Sequence, residues 1–408
     1  MAGLPLFLVI DLRAGAAVFA LATAIGYGGG AIAGLIGGRL GDRFGHRRVS
    51  ITGNALIPLL SLVGLFNVAW AAVAFFVAGW WARNLRSPPR RALLARSVPL
   101  PGDRGRAFGL LHGLDVGGGM IAALAAATLL GHGWSLSSVF LLTAAPLGVS
   151  TLVLACLVVE NPLPTVRERA AAVSPPSLPA EALVQAPPPM PAEALVAPLD
   201  ASSTGVNVVQ FADGQGISSQ AHRTRVGVLV ASALFGFSFY SVGFPVLTVS
   251  QSSHSLVSGM LVFALFSGVS GLAGFAVGTR RWDAVATLGA GGFGLSALAT
   301  LGFGVAAYEN AGLAALAVAA AALGAGLGVM ETVEPTLIAA ITPAHRHGAG
   351  MGNLAAARSV GLFAGNIAMG VLYVQGELYA YAYAATAALV GAVVIFALAR
   401  RASVPIAS

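Results

Sequence analysis

Gly38-Arg39-Leu40-Gly41-Asp42-Arg43-Phe44-Gly45-His46-Arg47-Arg48 separates two long apolar segments in a chain made almost entirely of such segments. The glycines permit a tight reversal of the backbone. The arginines favour the cytoplasmic side of a membrane. Asp42 is the one acid among them, placed to accept hydrogen bonds or to pair with a cation.

The composition surrounding this turn names the solvent. Of 408 residues 57% are hydrophobic and 9% are charged, with a mean hydropathy of +0.84. A soluble domain carries about 25% charged residues, so the lipid bilayer must wet most of this surface. The net charge of +7 comes from arginine alone. It tracks membrane sidedness rather than a nucleic-acid partner. A single cysteine, Cys156, excludes an intrachain disulfide.

A helix needs about 20 apolar residues to cross the hydrocarbon. Such runs fall near 15–38, 48–68, 70–95, 106–130, 136–159, 225–250, 255–278, 284–307, 311–341, 347–373 and 377–399, with an apolar stub at 3–10. With the 38–48 turn inside, all of the 22 arginines except Arg13, Arg83, Arg86 and Arg358 lie on the cytoplasmic side. Residues 161–222 are rich in Pro, Ala and Ser, cannot bury a core, and read as a disordered cytoplasmic linker. The linker divides the chain into 1–160 and 223–408. Val18-Phe19-Ala20-Leu21 recurs as Val262-Phe263-Ala264-Leu265, and Arg91–Pro99 recurs at the same offset as Pro335–Pro343. This repetition predicts two six-helix bundles related by pseudo-symmetry. Gly3-Leu4-Pro5 then aligns with Gly243-Phe244-Pro245, near the outer end of the seventh helix. On that alignment the stub is a remnant of a first helix, most of which is expected upstream of Met1; the alternative is a protein of eleven full helices.

Gly38, Leu40, Asp42, Arg43, Gly45 and Arg47 resemble the signature loop between the second and third helices of the major facilitator superfamily. Arg83 matches that family's buried arginine on the fourth helix. The run from Pro88 through Arg104-Gly105-Arg106-Ala107-Phe108-Gly109 to Asp115 resembles bacterial drug-efflux members. The chain departs from the antiporter signature at Gly117-Gly118-Gly119-Met120, which lacks the family's Gly-Pro pair. The resemblance implies an all-α membrane protein with the superfamily fold: two bundles, about eleven full transmembrane helices and the helix 1 remnant. It implies secondary transport of a small solute by alternating access, with the loop Asp holding one face closed. Gly38, Asp42, Arg43, Gly45 and Arg47 are therefore the expected gating loop. The bland alternative for Asp42 is a cap on the third helix.

Ionisable groups within the membrane are costly, and are partnered or functional. They are Arg83, Arg86 and Asp115 in the first half and Glu331, Glu334 and Arg358 in the second. At about 1.5 Å of rise per residue, Arg86 matches Asp115 in depth and Glu331 matches Arg358. Each half is thus expected to hold one ion pair, either as a structural lock or with a carboxylate that exchanges a proton during transport. His112, one turn from Asp115, is a proton relay on one reading and a packing residue on the other. Ser238, Tyr240 and Ser241 give the seventh helix a polar side and are the expected substrate wall. Gly109, Gly113 and Gly117 form a stripe for close helix packing.

No nucleotide loop, catalytic constellation or metal spacing emerges, so neither an enzyme nor a cofactor is expected. The expectation is a monomeric inner-membrane transporter with its central linker and C-terminus in the cytoplasm, moving a small organic molecule outward against protons. Uptake of a nutrient or a metal chelate is the alternative substrate class. A non-transporting scaffold or sensor that keeps the fold is the alternative function.

Overall fold

The computed structural model describes residues 3–98, 103–160, 219–238, 242–280, 283 and 286–402. Among these there is no strand. The chain opens with α1, Gly3–Pro5 continuing as a wider turn through Leu6–Asp11. Five helices follow: α2 Gly15–Phe44, α3 His46–Leu65, α4 Ala69–Ser97, α5 Arg104–Gly131 and α6 Leu136–Leu157. The second half comprises α7 Ser219–Ser238, α8 Gly243–Ser252, α9 Leu256–Thr279, α10 Thr287–Tyr308, α11 Leu313–Ile341, α12 His347–Gln375 and α13 Glu377–Ala402. Nine of the described helices are long and apolar enough to cross a membrane. The run at 70–95 forms α4, whose five arginines Arg83, Arg86, Arg90, Arg91 and Arg96 set it apart from these. The run at 225–250 is described as two shorter helices, α7 and α8. Most of the expected linker, 161–218, lies outside the described residues.

The reversal after α2 occurs at Gly45, whose φ of 96° is open to glycine and strained for other residues. Its N–H closes α2 on the Gly41 carbonyl at 3.0 Å. The halves meet along two seams, α2 against α12 and α5 against α9. Small residues make this approach possible, since lipid supplies no hydrophobic drive and contact depends on close packing. A Cβ on Gly109 would stand 2.6 Å from the Gly274 carbonyl, and one on Gly352 would stand 3.0 Å from the Gly34 carbonyl. Gly113 faces Gly271, whereas Gly117 faces open space.

Within the first half, α4 runs through Pro88 and Pro89. A proline donates no hydrogen bond to the carbonyl four residues earlier, so Asn84 and Leu85 keep free acceptors. Gly34 and Gly37 of α2 approach those same carbonyls. The stub α1 is anchored by buried Leu4, Leu6, Phe7 and Leu8, with Phe7 edge-on to Phe140 at 5.5 Å. It packs beside α8, which opens with the aligned Gly243-Phe244-Pro245.

Large apolar side chains such as Leu114, Ile121, Leu152 and Leu157 point outward, where hydrocarbon replaces water. Trp70, Trp134, Tyr308 and Tyr379 are exposed at the helix ends opposite the 38–48 turn. They form an aromatic belt of the kind found at membrane interfaces.

Gly328→Leu should force α11 away from α9, because a Cβ there meets Gly274 N at 2.9 Å. Overpacking of this kind costs roughly 1–3 kcal/mol, read as a lower midpoint of thermal unfolding in detergent. Gly302→Leu, where a Cβ meets nothing, should leave the midpoint almost unchanged.

Candidate functional site

At the end of the molecule that carries the 38–48 turn, Asp42 crosses from one half to the other. Its carboxylate accepts from the backbone N–H of Gly348 at 3.1 Å and of Ala349 at 2.8 Å. These are the unsatisfied donors of the first turn of α12, and the helix dipole there favours a negative charge. Gly38 lies one turn back on α2, with its Cα face against Gly348 and Gly352. The Arg96 guanidinium, Nη2 at 3.4 Å, and the His46 imidazole, Nε2 at 3.4 Å, flank the carboxylate.

The rest of the loop ties the first half together. Glu160, at the end of α6, caps α3 by accepting from the N–H groups of His46 at 2.9 Å and Arg47 at 2.8 Å. Arg47 in turn donates to the carbonyls of Val158 and Ala155, both at 2.6 Å. Arg96 reaches Glu160 at 3.8 Å and so links this cap to Asp42. Arg43 packs over the Phe44 ring at 5.1 Å and stays exposed. The loop residues thus divide: Gly38 and Asp42 meet the other half, Gly45 makes the reversal, Arg47 braces α3 on α6, and Arg43 faces outward.

Deeper in the bundle, arginines outnumber acids. Arg358 on α12 holds two glutamates of α11, bonding Glu331 through Nη1 and Glu334 through Nη2, the latter at 2.5 Å. Glu331 has a second cation from across the divide, Arg91 of α4 at 2.5 Å. Glu334 is fully buried. In the first half the ion pair is Arg90 with Asp115, two bonds in parallel. Depth matching had assigned Arg86 to Asp115. Arg86 instead packs against Gly53 of α3 and donates to Asn54 Oδ1 at 2.6 Å, leaving Arg90, one turn further, to reach α5. Arg83 stacks on the Trp80 ring at 4.6 Å and is exposed, within electrostatic reach of Asp115, Tyr27 and Glu331. It forms no ion pair with a described acid.

His112 is buried and shares a 2.9 Å hydrogen bond with Ser270 of α9 across the α5 seam. That hydrogen bond joins α5 to α9, and Asp115 is engaged by Arg90. Tyr240, Ser241 and the side chain of Ser238 lie outside the described residues. Among the described residues no group of three or more His, Cys, Asp or Glu could hold a metal ion. Two surface hollows of about 430 and 380 Å³ are lined by residues such as Phe44 and Cys156, and Trp81 and Phe363. None of the ion-paired residues Arg90, Arg91, Asp115, Glu331, Glu334 or Arg358 lines either.

A family model described as Major Facilitator Superfamily matches residues 1–288. A sequence search finds no matching curated protein. Solved structures match the fold. The human organic anion transporter MFSD10 (TETRAN) has a TM-score of 0.64 at 16% identity, covering 92% of this chain and 83% of its own. A partially occluded, inward-open form of the xylose transporter XylE from E. coli has 0.64 at 13%, covering 95% and 88%. The proton:xylose symporter XylE bound to 6-bromo-6-deoxy-D-glucose has 0.62 at 14%, covering 93% and 86%.

Arg358→Gln strands two glutamates and should be the most damaging single change in the cluster. Breaking a buried pair costs roughly 3–5 kcal/mol. Arg358→Gln with Glu334→Gln leaves the Arg91–Glu331 pair balanced and should unfold at a higher temperature than Arg358→Gln alone. Equal midpoints would dissolve the partnership.

Proposed function

The chain belongs to the Major Facilitator Superfamily, and from that premise we propose proton-coupled efflux of a small organic solute by alternating access. The protein acts as a monomer in the inner membrane, with the 38–48 turn, the central linker and the C-terminus in the cytoplasm. The arginines gathered at that end support this orientation. The observation that carries the reading is the Asp42 carboxylate on the first turn of α12. This contact joins the halves at one end and is released when they part. Gly38, Asp42, Gly45 and Arg47 form the gating element, with Glu160 and Arg96 as its braces. Efflux rests on the resemblance of the run from Pro88 to Asp115 to drug-efflux members. Proton coupling rests on the buried carboxylates, which must be paired or protonated.

Two observations favour an anionic solute. Five guanidiniums, Arg83, Arg86, Arg90, Arg91 and Arg358, face three carboxylates, Asp115, Glu331 and Glu334. Arg83 is exposed on an aromatic wall, Trp80 edge-on to Tyr27 at 5.3 Å, which suits an aromatic carboxylate. The organic anion transporter among the structural neighbours fits the same class.

Purified protein in liposomes should carry p-aminohippurate, with the direction of flux set by an imposed pH gradient. Asp42→Asn should lower this flux at least about tenfold, equivalent to ~1.4 kcal/mol, while leaving expression intact. Arg83→Gln should weaken competition by aromatic carboxylates more than by their neutral amides. Absence of all p-aminohippurate flux from folded protein would favour the scaffold reading.

A further inference from the structure

The charges inside the bundle do not cancel. Among the described residues the interior holds five guanidiniums, Arg83, Arg86, Arg90, Arg91 and Arg358, and three carboxylates, Asp115, Glu331 and Glu334. Arg90 answers Asp115, and Arg91 with Arg358 answers Glu331 and Glu334. Arg83 and Arg86 remain, neither of them bonded to a described acid. The other described acids stand at helix ends or in loops. Asp42, Asp103, Glu160 and Asp283 lie toward the end with the 38–48 turn, and Asp11, Glu309 and Glu377 toward the opposite end. His112, when charged, only adds to the excess. Two positive charges therefore stand uncompensated within the span of α4, where an isolated ion is costly.

The two residues are neighbours with different settings. At a spacing of three on one helix their Cβ atoms stand about 5–6 Å apart. Arg83 is exposed, with its guanidinium over the Trp80 ring at 4.6 Å, and Trp80 meets Tyr27 edge-on at 5.3 Å. Arg86 turns toward α3, where Nη1 donates to a neutral acceptor, Asn54 Oδ1, at 2.6 Å. Its Nε is buried without a hydrogen-bond partner among the described residues. Asp115 attracts both guanidiniums, but its two oxygens are taken by Arg90. Arg83, Arg90 and Arg91 all repel Arg86.

We infer that the solute is a dianion: an aromatic ring bearing two carboxylates, one held by Arg83 and the other by Arg86, with the ring against Trp80. This rests on the transport reading given above and deepens it. A single carboxylate, such as that of p-aminohippurate, balances one guanidinium and leaves the second in excess. A dianion balances both, and the interior count becomes even. Two separate carboxylates match the site better than one doubly charged group, because Arg83 is directed to the aromatic wall and Arg86 to α3. Each guanidinium presents paired N–H donors that suit a carboxylate, and a guanidinium stacked on a ring keeps its donor edges free.

The test measures equilibrium binding to the full chain in lipid nanodiscs. The probes are isophthalate and isophthalate monoamide, which have the same shape and differ by one negative charge. The parent should bind isophthalate at least about tenfold more tightly than the monoamide. Arg86→Gln should bind the two alike, through loss of isophthalate affinity alone. A loss of shape would weaken both probes together. Asn54→Asp is the second variant should Arg86→Gln fold poorly. It keeps both arginines and gives Arg86 an acid from within the protein, on an atom already 2.6 Å away. It too should erase the preference. A parent that binds the probes alike, or binds neither, overturns the inference, as does an Arg86→Gln or Asn54→Asp protein that keeps the parent's preference. Flux of p-aminohippurate into liposomes tests the transport reading separately. Flux without a preference for isophthalate sinks the dianion alone, and the preference without any flux sinks transport alone.

Discussion

An ionised group in a membrane interior must keep a partner, and this requirement organises the centre of the molecule. Asp115 is held by Arg90, Glu331 by Arg358 and Arg91, and Glu334 by Arg358. Where the partner sits decides what the pair does. Arg90 with Asp115 joins α4 to α5 inside one half. Arg91 with Glu331 spans the halves, so its charge balance is a function of their separation. An arginine of α4 paired with a carboxylate thus stays within one half at Asp115 and crosses between halves at Glu331.

The seams complement these charges. Along α2–α12 and α5–α9 glycines face backbone carbonyls, and Phe363, Val116 and Met120 lie against glycines of the facing helix. Such surfaces resist compression yet offer little resistance to rolling or sliding. What holds them at a given angle is polar: Asp42 on the Gly348 and Ala349 N–H groups at one end, and Thr23 on Asn366 at 3.2 Å further along. The prolines of α4 extend this logic within the first half. Pro88 and Pro89 strip two carbonyls of their helix partners just where Gly34 and Gly37 come in. The helix loses its own bonds but gains a weak polar footing on its neighbour.

Much of the fold was legible because it depends on composition and period. The apolar runs and the reversal within the 38–48 turn both follow from residue type and spacing. Depth along a helix axis also brought Glu331 and Arg358 together. It did not pair Asp115 correctly, because depth fixes height and leaves the azimuth free. Arg86 is at the right height but turned toward α3. Arg91 was counted as a residue of the membrane edge. The continuation of α4 through two prolines keeps it on the helix, and a long side chain lets it reach inward. Glu160 sits where the proline-rich segment begins, which disguised it as part of that segment rather than as the cap of α3. The partners of Asp42 are backbone N–H groups, which no pattern of side chains reveals. A helix start placed opposite the loop was the one signal available.

The exposed rings of Trp70, Trp134, Tyr308 and Tyr379 lie at one end of the helices, and the exposed arginines Arg39, Arg43 and Arg48 at the other. Rings of the first kind prefer the headgroup layer and resist being drawn either into oil or into water. Guanidiniums of the second kind are kept at the opposite headgroup layer. A body moored at both faces has a fixed draught: it can tilt but cannot rise or sink. Any change of angle between the two halves therefore turns about a body whose height in the bilayer is constant.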